Sequence, residues 1–565
     1  VRNMINDAAQ YNPATKKLTL NVPEGAHYSE SRGDADSYTL RAQLNFNRDF
    51  GPHSITALAG GERRRTKTTN TSIYYMGFNE STLAYKPIDP TALTNVKGTE
   101  SLAGNFSWSF TGNNWINEIE NRYVSFYANA AYAFDSKYNL TASIRVDQSN
   151  LFGTDPRYQY RPLWSVGGAW HIAKERFLAG KLSWLNALTL RATYGIGGNV
   201  PRGASPYVTL KAAQYNPWSK DFMAEIKSPP NYTLRWEKTA TTNLGLDFAV
   251  LNNRLSGSIE VYHKHSTDLL AQRDADPTLG FKQLTLNYGN MTNKGIEVSL
   301  NSVNLQTRNL RWTTGLNFGY NKNMLDDVED SNPNVHSYTS GFAAVKGHSL
   351  GAIFSFQYAG LSPTDGTPRY YVEGGSKTEA QVSNLSDLVY SGTRHPTYSG
   401  SFSNTIAYKD FELSFMLMFY GGNVLRTEPA PFVSEPSHLN PNKEMRNIWR
   451  QPGDERNPDA TPAFTGYALD LATMRHPWYA ADRHVFKADY AKLRHLSLTY
   501  RVPQQLVAKC GLSQLAFTLQ GQNLLSWSAN KYGVDPEALG TTGYGWGMRT
   551  IPTPATWTFG LSATF

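Results

Sequence analysis

The stretch Thr556-Trp557-Thr558-Phe559-Gly560-Leu561-Ser562-Ala563-Thr564-Phe565, at the C-terminus, decides the fold class. Its apolar residues alternate with small or hydroxyl-bearing residues, which is the period of a β-strand with one apolar face. A tilted strand of about nine to eleven residues is long enough to cross a bilayer. An edge strand of a soluble sheet would alternate in the same way, so the choice depends on whether the pattern recurs.

The last residues of the chain also resemble a signal for insertion into the outer membrane. Thr558, Gly560, Ala563 and Phe565 are similar in spacing to the C-terminal signal by which bacterial outer-membrane barrels are recognised. Ala563 departs from that signal, because a larger apolar residue is usual at its position. We expect these four residues to be read by the barrel-assembly machinery.

The alternation recurs in about seventeen segments, and helical spacing never persists beyond two turns. The segments are 37–47, 55–59, 122–134, 140–146, 164–172, 188–194, 244–250, 255–261, 296–300, 316–320, 351–359, 368–373, 402–406, 411–419, 496–500, 515–519 and 556–565. We therefore predict an all-β protein, a transmembrane antiparallel β-barrel, with residues 37–565 forming the C-terminal part of the barrel. Residues 1–36 are polar and turn-rich, and are expected to form an extracellular loop segment without clear elements.

Connections between these segments alternate between short and long. The short ones are 48–52, 135–137, 174–187, 251–254, 302–310, 363–366, 409–410 and 501–513. The long ones are 66–121, 149–161, 198–241, 264–291, 321–350, 374–397, 422–488 and 524–555. Outer-membrane barrels have short periplasmic turns and long extracellular loops, whereas a soluble sandwich or propeller has no reason to sort its loops this way.

Composition excludes several other classes. No run of about 18 apolar residues is present, so a transmembrane helix is excluded, and no secretory signal peptide begins the chain. The single cysteine, Cys510, excludes a disulfide framework and a cysteine-based zinc cluster. The net charge of +8 is spread along the chain and does not form a nucleic-acid-binding block. A mean hydropathy of −0.47 suits a barrel, in which only every second residue faces lipid.

Charged residues lie in mid-strand positions opposite the apolar face. They are Arg41, Arg145, Asp147, Arg191, Asp247, Glu260, Glu297 and Glu412. In a soluble sheet these side chains would face water, and in a wide barrel they would line an aqueous lumen. Because the apolar face is rich in aromatic residues and the loops are sorted by length, we predict that the eight residues line a lumen.

Strand parity leads to an expectation about the chain as a whole. The last strand of such a barrel runs toward the periplasm, and counting back places residues 1–36 on the extracellular side. A closed bacterial barrel has an even number of strands, so an odd number is expected before Val1. On this count the chain would not insert or close alone.

Few chemical motifs are present, and none predicts a cofactor, a metal site or an enzyme. His263-Lys264-His265 places two histidines on one face without a third zinc ligand, and residues 326–330 form an acidic loop without EF-hand spacing. Glycine-rich residues 195–199 lack the lysine and helix of a phosphate loop. Aromatic residues in long loops could stack on sugars, contact a partner or pack: Tyr215, Trp218, Trp449, Trp478 and Tyr479.

Several segments resemble the SusC/RagA group of TonB-dependent transporters from Bacteroidetes outer membranes. These segments, in chain order, span residues 155–158, 161–170, 190–195, 234–239, 243–247, 293–297, 351–354, 489–494 and 521–524. Among them are Asp-Pro-Arg-Tyr at 155–158, Leu-Arg-Trp-Glu-Lys at 234–238 and Asp-Tyr-Ala-Lys-Leu-Arg at 489–494. The matches extend from about residue 120 to the C-terminus.

The resemblance implies a barrel of about twenty-two strands around an N-terminal plug, of which about five strands, the plug and the TonB-contacting segment are missing here. It implies import of oligosaccharides or peptides, with a SusD-like surface lipoprotein as lid and energy from the TonB–ExbB–ExbD system. The alternatives are a passive porin or adhesin barrel and a soluble all-β carbohydrate enzyme. No motif names the substrate.

Overall fold

The structure is a computed structural model of the 565-residue chain. It describes residues 5–6, 9–86, 114–178, 180–199, 205–215, 221–276, 278, 280–281, 283–328, 333–341, 343–375, 377–379, 382–427, 443–463, 476–531, 533–541 and 547–565. These residues divide into two compact units. The first comprises Val1–Leu44, Ala59–Tyr127 and Arg145–Leu151, and the second comprises Asn45–Leu58, Ala128–Ile144 and Phe152–Phe565.

The described chain is almost entirely β-structure. The long strands are β3 (Ala26–Phe50), β4 (His53–Asn79), β6 (Trp115–Phe134), β7 (Tyr138–Ser149), β8 (Pro162–His171), β9 (Leu185–Asn199), β12 (Glu237–Val250), β13 (Leu255–Asp274), β14 (Gln283–Gln306), β15 (Leu310–Asp327), β21 (Tyr398–Tyr408), β22 (Phe411–Gly421), β25 (Tyr490–Arg501), β26 (Gln514–Ser528) and β29 (Thr556–Thr564).

Shorter strands lie between them. They are β1 (Ala9–Asn12), β2 (Lys17–Leu20), β5 (Ala84–Lys86), β10 (Thr209–Tyr215), β11 (Phe222–Ser228), β16 (Ala352–Phe356), β17 (Tyr358–Leu361), β18 (Pro368–Val372), β19 (Lys377–Glu379), β20 (Leu388–Thr393), β23 (Val424–Arg426), β24 (Val485–Lys487), β27 (Leu539–Thr541) and β28 (Gly547–Arg549). The α-helices bounded within the described residues are short: α1 (Val335–Thr339) and α2 (Gln504–Val507). No helix among the described residues is both long and apolar enough to span a membrane.

In the second unit the long strands form one antiparallel meander. They pair in the order β3-β4-β6-β7-β8-β9-β12-β13-β14-β15-β21-β22-β25-β26-β29, and β3, β4, β6 and β7 contribute their turn-proximal ends. Tight turns join the hairpins where the sequence supplies turn residues. Asp135 and Ser136 both have φ of 53°, the left-handed geometry that lets a two-residue turn match the twist of a hairpin. The prediction of an all-β antiparallel sheet is confirmed.

The two faces of this sheet differ in chemistry. One face carries large apolar side chains that remain exposed, among them Leu244, Val261, Tyr408 and Phe411. Exposed aromatic and aliphatic rows of this extent are typical of a surface that contacts lipid. The face that carries these exposed apolar side chains is called the apolar face. The opposite face, which carries Arg191, is called the polar face.

Two of the predicted barrel segments lie outside the meander. Residues 351–359 and 368–373 do form strands, but β16 pairs with β20, and β17, β18 and β19 form a separate small sheet. The prediction of about seventeen strands in one sheet is therefore wrong for this pair, and fifteen long strands form the described meander. Both segments lie inside one long connection, in which apolar alternation comes from a local core.

Several strands extend beyond their predicted ends. β3 begins at Ala26, within the segment expected to lack elements, and β4 continues to Asn79, within a predicted irregular stretch. β13 and β14 leave only residues 275–282 between them, so the predicted long connection 264–291 is wrong. The added residues are mostly polar and lack the apolar alternation by which strands are recognised from sequence.

The first unit holds the turn-distal parts of β3, β4, β6 and β7 together with two small pairings. β1 pairs with β2, and β5 pairs with β4. The hydroxyl of Tyr74 lies 2.6 Å from Nδ1 of His27, which joins β4 to β3. Gly25 packs against the backbone of Gly77, where a β-carbon could not fit.

Candidate functional site

A charged cluster lies at the centre of the polar face. Arg191 on β9 donates to both carboxylate oxygens of Asp247 on β12, at 2.6 and 2.9 Å, and to Glu260 on β13 at 2.7 Å. Asn243 donates to the second oxygen of Glu260 at 3.0 Å. The guanidinium can reach across β12 because Gly245 lies beneath it, and a β-carbon there would contact the guanidinium at 3.0 Å.

The row continues across the sheet to a carboxylate without a partner. Glu260 is directly opposite Glu297 on β14, and Glu297 is directly opposite Gly319 on β15. Glu297 forms no ion pair or hydrogen bond with the described residues. Two like charges directly opposite each other repel. Because Arg191 already binds two carboxylates, this part of the polar face is acidic.

Two cavities open on the polar face beside this cluster. One, of about 420 Å³, lies between Glu260, Glu297 and the larger side chains Met418 and Tyr420. Its floor is made of small residues, including Gly319, Ser399 and Ser401. The second, of about 310 Å³, lies nearer the short turns and is lined by side chains such as Asn301, Arg311 and Thr405. Small polar residues on adjacent strands therefore produce a hydrated depression in the wall.

The other predicted lumen residues are also paired on their strands. In the second unit Arg501 donates to Glu412 at 2.9 Å. In the first unit Arg41 binds Glu62, and Arg145 donates to Asp147 at 2.8 Å and to Ser125 at 2.9 Å. The charged residues were recognisable from their mid-strand positions, whereas their partners depend on strand register.

The described residues of two of the longest connections, within 328–397 and 422–489, fold together into what we call the loop assembly. Its core contains Phe356, Tyr370 and Val372 from the first connection with Ala480 and Ala481 from the second. A parallel bridge joins Phe356 to Ala481, and the backbone amide of Tyr358 donates to Asp482 at 3.0 Å. The assembly therefore has its own apolar core, which the alternation of the sheet does not supply.

A buried arginine joins the two connections. Arg426 donates to the carbonyl of Thr339, to the carbonyl of Phe354 at 2.7 Å and to the hydroxyl of Ser355 at 2.8 Å. No described carboxylate lies within ion-pair distance of it, and its Nε has no partner. Burial lowers the pKa of Arg426 to about 10, so the guanidinium stays charged at neutral pH. Its hydrogen bonds to carbonyls replace the water it has lost.

Histidines in the same core are held neutral. Burial lowers the pKa of His476 to about 4, and the nearby His336 and Arg426 act in the same direction. Burial also lowers the pKa of His484 well below its usual value. His476 Nε2 lies 3.1 Å from the hydroxyl of Thr339, the residue whose carbonyl accepts from Arg426.

The segment Asp489–Arg494 anchors the loops to the sheet. Asp489 accepts from the backbone amide of Gly422 at 2.6 Å and from the hydroxyl of Tyr398 at 3.3 Å, and so joins the ends of both connections. Its backbone carbonyl accepts from the amide of Ala529 at 2.8 Å, where a third long connection begins. One carboxylate and one carbonyl thus fix three loops.

The rest of this segment holds the third connection. Lys492, nearly buried, donates to Asp535 at 2.6 Å and to Glu537 at 2.8 Å. Tyr490 donates to Glu537 at 2.8 Å, and Arg494 binds the same carboxylate. Two cations and two carboxylates balance, which favours burial of the group. The sequence motif at 489–494 is therefore a structural anchor.

Two other motif segments meet at a second anchor. The carbonyls of Tyr232 and Leu234 accept from the amides of Asp155 and Gly153, at 3.1 and 2.9 Å. The guanidinium of Arg235 lies over the ring of Tyr158, 4.6 Å from its centroid, and donates to Asp268 at 2.7 Å. Segments 155–158 and 234–238 are distant in sequence, yet they form one hydrogen-bonded junction.

The remaining candidates have structural surroundings. Trp478 is 1% exposed and Tyr479 4%, so both pack inside the loop assembly and do not present a sugar platform. Trp449 packs against Gly366. Trp218 and the side chain of Tyr215 lie outside the described residues, as do residues 329–330 of the acidic loop. Residues 195–199 end strand β9.

No metal-binding group is formed by the parts of the chain that the structure describes. His265 lies 3.6 Å from Asp326, which accepts a hydrogen bond from Thr292 at 2.5 Å. His263 lies beside them on the same face of β13. The last residues form strand β29, in which Gly560 pairs with Thr518 and Ala563 with Leu515, and the side chain of Phe565 is exposed.

Comparisons with known proteins agree on one family. A family model described as TonB dependent receptor-like, beta-barrel matches residues 4–429. TonB-dependent receptor P3 of Formosa agariphila is 26% identical over 553 residues, which are 92% of this chain and 52% of that protein. TonB-dependent receptor SusC of Bacteroides thetaiotaomicron is 26% identical over 469 residues, which are 79% of this chain and 44% of that protein.

A solved structure shows the same fold. The structure of the RagAB peptide transporter matches with a TM-score of 0.75 and 23% sequence identity, over 95% of this chain and 56% of the matched chain. The chain spans about half the length of the curated relatives it matches.

Proposed function

Because this chain belongs to the TonB-dependent receptor-like β-barrel family of outer-membrane proteins, we propose that it forms part of an energised importer. The solute would be an oligosaccharide or a peptide. A SusD-like surface lipoprotein would close the extracellular mouth, and the TonB–ExbB–ExbD system would supply energy. The relatives are named as receptors and a transporter, which supports a transport role for this chain in place of an enzymatic one.

The observation that carries this proposal is the contrast between the two faces of one sheet. The apolar face leaves large side chains exposed, whereas the polar face holds the Arg191–Asp247–Glu260 cluster and two polar cavities. A wall with lipid on one side and an aqueous route on the other needs this contrast. Hydroxyl, amide and carboxylate groups on the wall offer exchangeable hydrogen bonds to a passing polar solute.

The loop assembly supports the proposed lid. The described parts of the two connections share an apolar core and are fixed to the sheet at Asp489–Arg494, which supports a surface on which a partner protein can dock. A preorganised surface loses less conformational entropy on binding than free loops would. We therefore propose that the SusD-like lipoprotein binds the loop assembly, and, separately, that residues 1–36 are extracellular.

Co-purification tests the partner. A tagged protein extracted from outer membranes should retain a surface lipoprotein, and Arg426→Met should release it because Arg426 joins the two connections. Glu412→Gln is the matched control, since it removes an ion pair at the turn end of β22, the end opposite to the one that leads into the assembly. Limited proteolysis would report whether Arg426→Met disorders the assembly. If it does and the variant protein still retains the lipoprotein, the docking site is elsewhere.

Energy dependence separates the importer from the alternatives of a passive porin and an adhesin. Uptake of a fluorescent oligosaccharide or peptide mixture should stop when the proton gradient is collapsed or TonB is deleted. A porin would continue to admit small solutes under both conditions. An adhesin would show no uptake dependent on this chain.

We also propose that Thr558, Gly560, Ala563 and Phe565 are read by the barrel-assembly machinery. Phe565→Ser should lower the amount of protein in the outer membrane. Gly560→Ala is an informative companion, because a β-carbon there meets Thr518 only at an ordinary 3.7 Å. Loss of assembly in that variant would therefore reflect recognition and not packing.

A further inference from the structure

Basic residues interrupt the apolar series on the apolar face of three neighbouring strands. On β14 the apolar series Leu300, Val298, Ile296 is followed by Lys294, and on β15 the series Leu316, Phe318, Tyr320 is followed by Lys322. On β13 His263 takes the same position after Val261. Alternate residues of a strand share a face, so all three basic side chains lie on the apolar face.

The register places these three residues side by side. His263 is directly opposite Lys294, and Lys294 is directly opposite Lys322. Directly opposite residues have β-carbons about 4.5–5.5 Å apart. The three strands therefore present one compact basic row, whose side chains are exposed.

No acidic side chain compensates the two lysines. Lys294 and Lys322 form no ion pair or hydrogen bond within the described residues. The acidic residue that follows on this face of β15, Asp326, already accepts from Thr292 and lies beside His265. Two opposed ammonium groups without a counter-ion among the described residues, at the edge of a low-dielectric medium, would be stabilised by an external anion.

Aromatic residues place the row at the depth of lipid head groups. Tyr320 lies one strand pleat before Lys322, and Tyr194 pairs with Thr242, which is itself opposite His263. Both tyrosines are exposed on the apolar face. Tyrosine and tryptophan girdles mark the two interfaces of a membrane barrel, where the ring contacts the acyl region and the hydroxyl meets the head groups.

We propose that Lys294 and Lys322, with His263 beside them, bind the phosphate of lipids in the outer leaflet. The row lies in the middle part of β13, β14 and β15, on the loop side of their apolar residues, and the loops of outer-membrane barrels are extracellular. Long lysine side chains reach from the apolar band to phosphate oxygens, and each contributes to the attraction of an anionic head group. A lipid would thereby be held against the apolar face of strands β13–β15, on the opposite side of the sheet from Glu260 and Glu297.

The test measures lipid adducts on the membrane-extracted protein in neutral detergent by native mass spectrometry. The probes are phosphatidic acid and, for comparison, zwitterionic phosphatidylcholine. Lys294→Gln combined with Lys322→Gln should weaken binding of phosphatidic acid on the order of tenfold and leave phosphatidylcholine unchanged. Lys294→Arg combined with Lys322→Arg should retain binding, which separates loss of charge from loss of folding.

A control on the other face completes the design. Lys264 is an exposed lysine on the polar face of β13, the strand that carries His263. Lys264→Gln should not change lipid binding. Equal binding by the double glutamine variant, or an equal loss in Lys264→Gln, would overturn the proposal. Inorganic phosphate at the same concentration should not displace the lipid, and displacement would assign the row to free phosphate.

Discussion

Arg191 holds two carboxylates on the polar face, so its removal leaves both without their partner. We expect Arg191→Gln to lower the free energy of unfolding by about 1–2 kcal/mol, a modest value because all three groups are partly hydrated. The shift would be measured from the heating temperature at which the membrane-extracted protein loses its folded migration on a gel. Arg501→Gln is the control, since Arg501 makes one exposed contact and should cost about 0.5 kcal/mol or less. Equal effects in both variants would contradict this account.

His476 gives the loop assembly a dependence on pH with a defined sign. Its folded-state pKa of about 4 lies below the value near 6.5 of an unfolded histidine, so the unfolded state binds more protons between these values. The stability of the assembly is therefore complete above about pH 6.5 and falls as the pH drops toward 4. Buried His484 acts in the same direction.

Hydrogen exchange at pH 7.5 and pH 5 would measure this effect in residues 335–356 and 476–488. Protection should be lower at pH 5, and His476→Gln should reduce the difference while leaving the part due to His484. His495→Gln, on strand β25 outside the assembly, should not alter it. Exchange that is independent of pH in the original protein would contradict the expected sign.

For individual charged residues, the sequence indicated the strand face on which each one lies but not the residue with which it forms an ion pair. Alternation alone placed Arg191, Asp247, Glu260 and Glu297 on one strand face, and the structure has them together there. Their pairing depends on register between strands that are many residues apart, which no local pattern contains. Their role in lining a lumen remains a prediction. Arg426 was missed because a single arginine in a polar loop carries no sequence signal of burial.

At the scale of the elements, strand β22 ends at Gly421, where the second connection of the loop assembly begins. A β-carbon at this position would overlap the Asp489 carboxylate and the hydroxyl of Tyr398. Gly421→Ala should therefore displace Asp489, weaken its bond to Gly422, and expose residues 422–489 to limited proteolysis. The packing conflict is worth about 1–3 kcal/mol.

Gly197→Ala provides the matched control for this prediction. Gly197 is also a strand glycine, but the nearest heavy atom to its β-carbon would be the carbonyl oxygen of Thr239 at 4.0 Å. The cleavage pattern of this variant should remain that of the original protein. If Gly421→Ala is cleaved no faster than Gly197→Ala, Asp489 does not anchor the connection.

The existence of strands was easier to predict than their extent. Segments with apolar alternation, such as 402–406 and 411–419, correspond to strands of the meander. Extensions such as those of β4 and β13 were missed, because they are mostly polar and their apolar residues do not alternate regularly. The pair 351–359 and 368–373 was assigned to the wrong sheet, because an apolar core within a loop produces the same local alternation as a barrel wall.

For the molecule as a whole, the native Cys510 offers a test of orientation. It lies in residues 502–513, one of the connections at the turn-bearing end, whereas Lys377 is an exposed residue of the short strand β19, within the loop assembly. In intact cells a membrane-impermeant maleimide should label Lys377→Cys in a Cys510→Ser background. The original protein should be labelled only after the outer membrane is permeabilised. Labelling of Cys510 in intact cells would reverse the proposed orientation.

Fold class and family were within reach of the sequence, because both depend on repeated patterns over the whole chain. The all-β antiparallel sheet is confirmed by the structure, and the SusC/RagA-like resemblance is confirmed by the family model over residues 4–429 together with the relatives. The sequence does not identify a solute. Solute specificity would depend on loop side chains, and these follow no periodic sequence pattern. The motifs themselves proved to be junctions between loops and strands.

The anchor at Asp489–Arg494 separates what must be kept from what is free to change. Among the described residues, its contacts involve loop bases and the turn at Pro536–Ala538. Substitutions in the outermost loop residues could therefore accumulate during evolution without detaching the loops from the sheet. Grafted tips from a distant relative should work best when the exchange points lie outside these contacts, which makes the anchor a practical boundary for building chimeric receptors.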